Sequence, residues 1–180
     1  MEKLETPLTW GLAIVLMISL FIGNLTTKNT SEIISANPNT DRSTSDVFEK
    51  NCETVSAYFT DFTSETVDYT KYYAANAVIK GTTLGSKDSI TVDEHKTMHD
   101  FLLDIYDFSY SNPLVFLPGV NPETKEMDGS VRFYCSINVT ETSTQKSVSI
   151  PMYYSFDFDD NGKFLFQQYY GDINAYFESL

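Results

Sequence analysis

Two stretches decide the fold: Val131-Arg-Phe-Tyr-Cys-Ser-Ile-Asn-Val-Thr140 and Val148-Ser-Ile-Pro-Met-Tyr-Tyr-Ser-Phe-Asp-Phe158. In the first, Val131, Phe133, Cys135, Ile137 and Val139 alternate with Arg132, Tyr134, Ser136, Asn138 and Thr140. In the second, Val148, Ile150, Met152, Tyr154, Phe156 and Phe158 alternate with Ser149, Pro151, Tyr153, Ser155 and Asp157. A period of two over ten residues puts one apolar face on each strand, so these are long strands half-buried in an antiparallel sheet. Asp160-Asn161-Gly162 supplies turn chemistry, and Phe164 to Tyr170 returns as a further strand. Pro151 inside a strand marks an edge or a bulge, which is how such a sheet bends.

Before these strands the period is helical. Asp46 can cap a helix with Glu49 three residues on, and Phe48, Cys52, Val55, Phe59 and Phe62 make one apolar stripe. A short helix is expected from Val67 to Ala75, then a short strand Ala77 to Gly81. Thr91 with Glu94 opens a third helix whose stripe is Met98, Phe101, Leu102, Ile105 and Phe108. Leu114 to Pro118 reads as a strand and Asp172 to Leu180 as a short closing helix. About three helices followed by a run of strands argue α+β: helices packed on one face of a curved antiparallel sheet, within residues 46–180.

The first 45 residues are a different material. Between Glu5 and Lys28 there is no charge, and residues 8–25 are apolar with Trp10 near one end. As a helix that run is about 27 Å long, near the thickness of a bilayer's hydrocarbon. Met-Glu-Lys-Leu-Glu is not a basic leader and no Ala-x-Ala follows, so an uncleaved anchor is expected, with a secreted, cleaved form as the alternative. Residues 1–7 are then a short tail, 26–45 a Ser/Thr/Asn-rich linker, and 46–180 a domain on the outer side of the membrane. Asn24, Asn29 and Asn138 fall in glycosylation-acceptor triplets, a pattern that also arises by chance.

Of 180 residues, 12 are basic and 25 acidic, a formal net charge of -13. Residues 1–45 contain three basic and four acidic side chains, so nearly all the excess lies in the domain. Such a domain has no electrostatic footprint for phosphate backbones, and no nucleic-acid partner is expected. Cys52 and Cys135 are too few for a disulfide framework and read as buried thiols, with one long-range bridge as the alternative. His95 and His99, the only histidines, lie one turn apart on one helix face. Two histidines can share a metal ion, but no third ligand accompanies them, so no metal and no cofactor is expected. Asp157-Phe-Asp-Asp-Asn-Gly162 resembles the start of a calcium loop, yet Gln168 stands where the last acidic ligand belongs.

Three segments carry a family resemblance: Tyr72-Tyr-Ala-Ala-Asn-Ala-Val-Ile-Lys80, Tyr154-Ser-Phe-Asp-Phe-Asp-Asp-Asn-Gly-Lys-Phe164 and Tyr169-Tyr-Gly-Asp172. Together the layout resembles the nuclear transport factor 2-like superfamily, in its SnoaL-like and ketosteroid-isomerase-like branch. The resemblance implies a cone of sheet and helices around an apolar pocket. Its members include isomerases, cyclases, dehydratases, epoxide hydrolases and binding or dimerisation modules. Ketosteroid isomerase uses an acidic base and two oxyanion donors. By position the donors fall near Tyr58 and Tyr154, and the base falls near Gly81, which cannot abstract a proton. The resemblance therefore implies a pocket for a small apolar or amphipathic molecule, touched by Tyr58, His95, His99, Tyr154 and Phe156. A lyase, isomerase or hydrolase using His95 or His99 with Tyr58 is the alternative. A third alternative is pairing of two copies through the open sheet face, at Arg132, Tyr134, Tyr153 and Tyr169.

Overall fold

The computed structural model describes residues 41–82, 85 and 87–173. The expected anchor, most of the linker and the closing helix beyond Ile173 lie outside the described residues. No helix among the described residues is long and apolar enough to cross a membrane.

The chain order is α1 (Asp41–Thr63), α2 (Tyr69–Tyr72), β1 (Tyr73–Lys80), α3 (Val92–Leu103), β2 (Tyr106–Val120), β3 (Met127–Glu141), β4 (Ser147–Phe158) and β5 (Phe164–Tyr170). The five strands form one sheet in the order β1-β5-β4-β3-β2. Three neighbouring pairs are antiparallel, as the alternation predicts. The pair β1–β5 is parallel, so the sheet is mixed rather than antiparallel throughout. Local patterning could not show this, because β1 is short and is brought to β5 across the whole α3–β4 excursion.

Several boundaries move. The first helix begins at Asp41, five residues before Asp46. The second shrinks to one turn, Tyr69–Tyr72, capped by the Asp68 carboxylate on the Thr70 N–H at 3.0 Å. From Tyr73 the chain is already extended, because Tyr73, Ala74, Ala77 and Ile79 all have buried places to fill in β1. Helix α3 starts as expected, with Thr91 and Glu94 making the reciprocal capping box. Phe101, expected in its core stripe, is 63% exposed, and the fully buried side chain of α3 is His95. Phe108 belongs to β2, not to the helix.

Pro151 pairs in register with Ser136, so it marks no bulge. The β5 pairing of β4 begins only at Tyr153, which makes Pro151 a local edge position where its missing N–H costs nothing. Register is instead lost in β2 between Ser111 and Val115 and between Pro118 and Val120, and such irregularities are how a sheet can bend. The β4–β5 hairpin closes on Gly162, whose φ of 74° suits glycine, with the Asp159 carboxylate accepting from the Asn161 and Lys163 N–H groups. Asp159 thus serves the turn that Asp160-Asn161-Gly162 announces.

The core lies between α1 and the concave sheet face. Val55, Tyr58 and Phe59 of α1 pack in one cluster with Val131, Phe133, Ile137 and Val139 of β3 and with Met152, Tyr154 and Phe156 of β4, while Phe62 packs on His99 and Phe108. Phe48 and Cys52 flank this core only partly buried. Cys52 and Cys135 are both free thiols. Burial raises the Cys135 thiol to about 12 and the Cys52 thiol to about 11, so both stay protonated and unreactive near neutral pH.

Candidate functional site

The sheet and helices leave a cavity of about 440 Å³ between the second half of α1, α3 and the inner faces of β2 to β5. Its walls are mostly apolar: Phe59 and Phe62 from α1, Met98 and Leu102 from α3, Ile150 and Met152 from β4, among others. No carboxylate and no lysine or arginine is among the described residues that line it. The volume falls in the range of small-molecule sites.

Of the residues expected at a pocket, Tyr58, His95, His99 and Tyr154 all line this cavity. Phe156 is not among the lining residues; it is fully buried behind the wall, against Phe59 and Phe164. Tyr169, expected on the open sheet face, points inward and lines the cavity. The strand period explains it: Tyr169 sits opposite Tyr154, an inward residue, while Tyr170 sits opposite the outward Tyr153. The place expected for a base is closed. A Cβ on Gly81 would stand 2.8 Å from the Tyr169 hydroxyl, so Tyr169 occupies the space an acidic side chain there would need.

The polar groups form two short chains. Tyr58 Oη lies 3.4 Å from His95 Nε2, and Tyr69 Oη lies 2.7 Å from His99 Nδ1. The two imidazoles face each other with ring centroids 3.9 Å apart. His95 is 1% exposed, and its Nδ1 has no hydrogen-bond partner among the described residues. Beside them the Tyr73 hydroxyl donates to Gln167 Oε1. Tyr69, Tyr73 and Gln167 were not expected at the site. Tyr69 and Tyr73 sit where the sequence suggests one longer helix, and Gln167 sits in a strand whose inward phase is apolar except there.

Burial sets the electrostatics. It holds His99 down to about 3 and, with His99 adding a like-charge penalty, keeps His95 well below the usual imidazole range. Burial likewise pushes the hydroxyls of Tyr58, Tyr69 and Tyr154 up. At neutral pH the site therefore holds neutral imidazoles, neutral phenols and one amide. It can donate and accept hydrogen bonds, and it offers no fixed charge. Among the described residues there is no group of three or more His, Cys, Asp or Glu side chains arranged to hold a metal ion.

No protein-family model matches the sequence, and no curated protein matches it. Solved structures do. One is a protein assigned as a polyketide cyclase from Silicibacter sp. tm1040, with TM-score 0.58, 14% identity, and 72% of this chain and 94% of that one covered. Another, assigned as an isomerase from Bacillus subtilis, gives 0.54 and 15%, covering 70% and 88%. An LEH-like epoxide hydrolase of M. tuberculosis gives 0.51 and 16%, covering 73% and 90%. The chain has the nuclear transport factor 2-like fold. At these identities the likeness is one of fold, and fold alone does not define a reaction.

Proposed function

We propose that the domain binds a small apolar or amphipathic molecule in the cavity between α1, α3 and the sheet. The observation that carries this reading is the cavity itself, about 440 Å³ walled by aromatic and aliphatic side chains with a few neutral polar groups on one side. Residues 8–25 would tether the domain to a membrane, as their length and lack of charge suggest. Turnover, if the site has any, would run through His95 or His99 with Tyr58, because no carboxylate lines the cavity among the described residues.

The test fills the cavity. Ile150→Trp places a larger ring into the space that Ile150 now borders. The full chain and this variant are screened against a panel of small apolar compounds by thermal shift, with native mass spectrometry to catch a molecule that co-purifies. The reading expects stabilisation of the wild type and none of the variant. Equal shifts for the two proteins, or no shift with any compound, would count against it.

A second reading, self-association through the outer sheet face, is favoured by one row of side chains. Tyr170, Tyr153, Tyr134 and Val115 stand directly opposite one another across β5, β4, β3 and β2. Tyr134 and Tyr170 are 44% and 43% exposed. The next row is Gln168, Ser155, Arg132 and Leu117, and its one charge, Arg132, is paired with Asp157 at 3.3 Å. In so acidic a chain this charge-poor surface is where two copies could meet with least repulsion.

A further inference from the structure

The ligand-binding reading names a cavity but not what distinguishes one apolar molecule from another. The polar wall does. Tyr69 Oη, 2.7 Å from His99 Nδ1, has no other acceptor for its proton among the described residues. The phenol therefore donates, Nδ1 accepts, and the His99 proton resides on Nε2. The ring is held in place by the Phe62 face at a centroid distance of 4.6 Å and by His95 at 3.9 Å. Nε2 has no partner among the described residues, and the ring lines the cavity. On the same wall, the carbonyl oxygen of Gln167 accepts from the Tyr73 hydroxyl, which orients the amide, and its NH2 group is a further donor. At His99 and Gln167 the wall thus presents donors.

Charge points the same way. An anionic ligand would sit in an apolar cavity whose described lining contains no lysine or arginine, facing imidazoles that burial keeps neutral. A cationic ligand would meet no carboxylate there. Resting on the ligand-binding reading, we propose that the cavity selects an uncharged molecule bearing an acceptor oxygen, such as a ketone, ester or ether oxygen, which takes its hydrogen bond from His99 Nε2–H. Tyr69 is the positioning residue that fixes this tautomer without touching the ligand.

The test uses three probes of one shape: 2-acetylnaphthalene, 2-ethylnaphthalene and 2-naphthoate, titrated by fluorescence into the full chain at neutral pH. The ketone is expected to bind about tenfold more tightly than the hydrocarbon, the gain of one buried hydrogen bond, and the carboxylate more weakly than either. In Tyr69→Phe the ketone's advantage over the hydrocarbon should shrink, because His99 is then free to take either tautomer, while the hydrocarbon's own affinity is kept. Independently of any variant, ¹⁵N spectra of the histidine rings should show His99 protonated on Nε2 and bare on Nδ1. A carboxylate bound as tightly as the ketone overturns the selectivity and leaves ligand binding standing. A His99 protonated on Nδ1 overturns the donor assignment, and a ketone preference unchanged in Tyr69→Phe overturns the role of Tyr69. Failure of all three probes to bind overturns the cavity reading and this inference with it.

Discussion

Two histidines and a glycine show how far single residues can be read. The spacing of His95 and His99 places them on one helix face, and that much needs no structure. That the face is the buried one, with His95 at its centre and Phe101 turned to solvent, depends on what α3 packs against. A helix with apolar residues on two sides does not declare which side is inside, and neutral imidazoles suit an apolar cavity well enough to win. Gly81 is the converse case. Its inability to serve as a base is evident from its lack of a side chain, but that Tyr169 fills the space is a tertiary fact. The buried imidazoles also make stability depend on pH. Both have folded values below the ordinary 6.5, so between there and about 3 the unfolded chain binds more protons than the folded one. Stability is therefore expected to be full above about pH 6.5 and to fall as pH drops, by up to about 1.4 kcal/mol per pH unit for each histidine. Urea midpoints measured from pH 7.5 to 4.5 should show this slope, and His99→Gln should flatten it; an unaltered slope would mean that His99 is not buried as described.

Among the elements, those whose ends are marked by capping or turn chemistry were legible, and those ended by tertiary demand were not. Thr91 and Glu94 announce α3, and the structure has both hydrogen bonds of the box, with Glu94 accepting from the Thr91 N–H at 2.9 Å. Asp160-Asn-Gly162 announces the last hairpin for the same reason. By contrast, α2 stops at Tyr72 because the next residues are wanted in a strand whose only sheet neighbour, β5, begins 91 residues further on, Tyr73 pairing with Phe164. Local propensity does not contain that information. The α3 cap carries a prediction, since this helix presents both histidines to the cavity. Thr91→Ala removes the hydroxyl that accepts from the Glu94 N–H at 3.2 Å and should cost about 1 kcal/mol, read as a lower denaturation midpoint. Thr97→Ala, on the exposed side of the same helix, should cost less, and equal losses would deny the cap its role.

At the scale of the molecule, the acidity and the pattern of exposed side chains bear on assembly. A strongly negative chain resists self-association everywhere except where its surface is poor in charge, and the row from Tyr170 to Val115 is such a place. If two copies pair there, sedimentation at rising concentration should show a dimer, favoured by salt, and Tyr134→Glu should return it to a monomer without lowering the thermal midpoint. A wild-type chain that stays monomeric at high concentration would dismiss the pairing. By itself the sequence determined the α+β class, the two long strands β3 and β4 with the returning β5, the cap of α3 and the last turn. Each rests on a local period or a short hydrogen-bonded motif, both properties of neighbours along the chain. Only the tertiary structure decided the parallel β1–β5 pairing, the inward turn of Tyr169, the burial of His95 and the pairing of Tyr69 with His99. These are contacts between segments far apart in sequence, and the free energy that selects them comes from packing and desolvation in the assembled core.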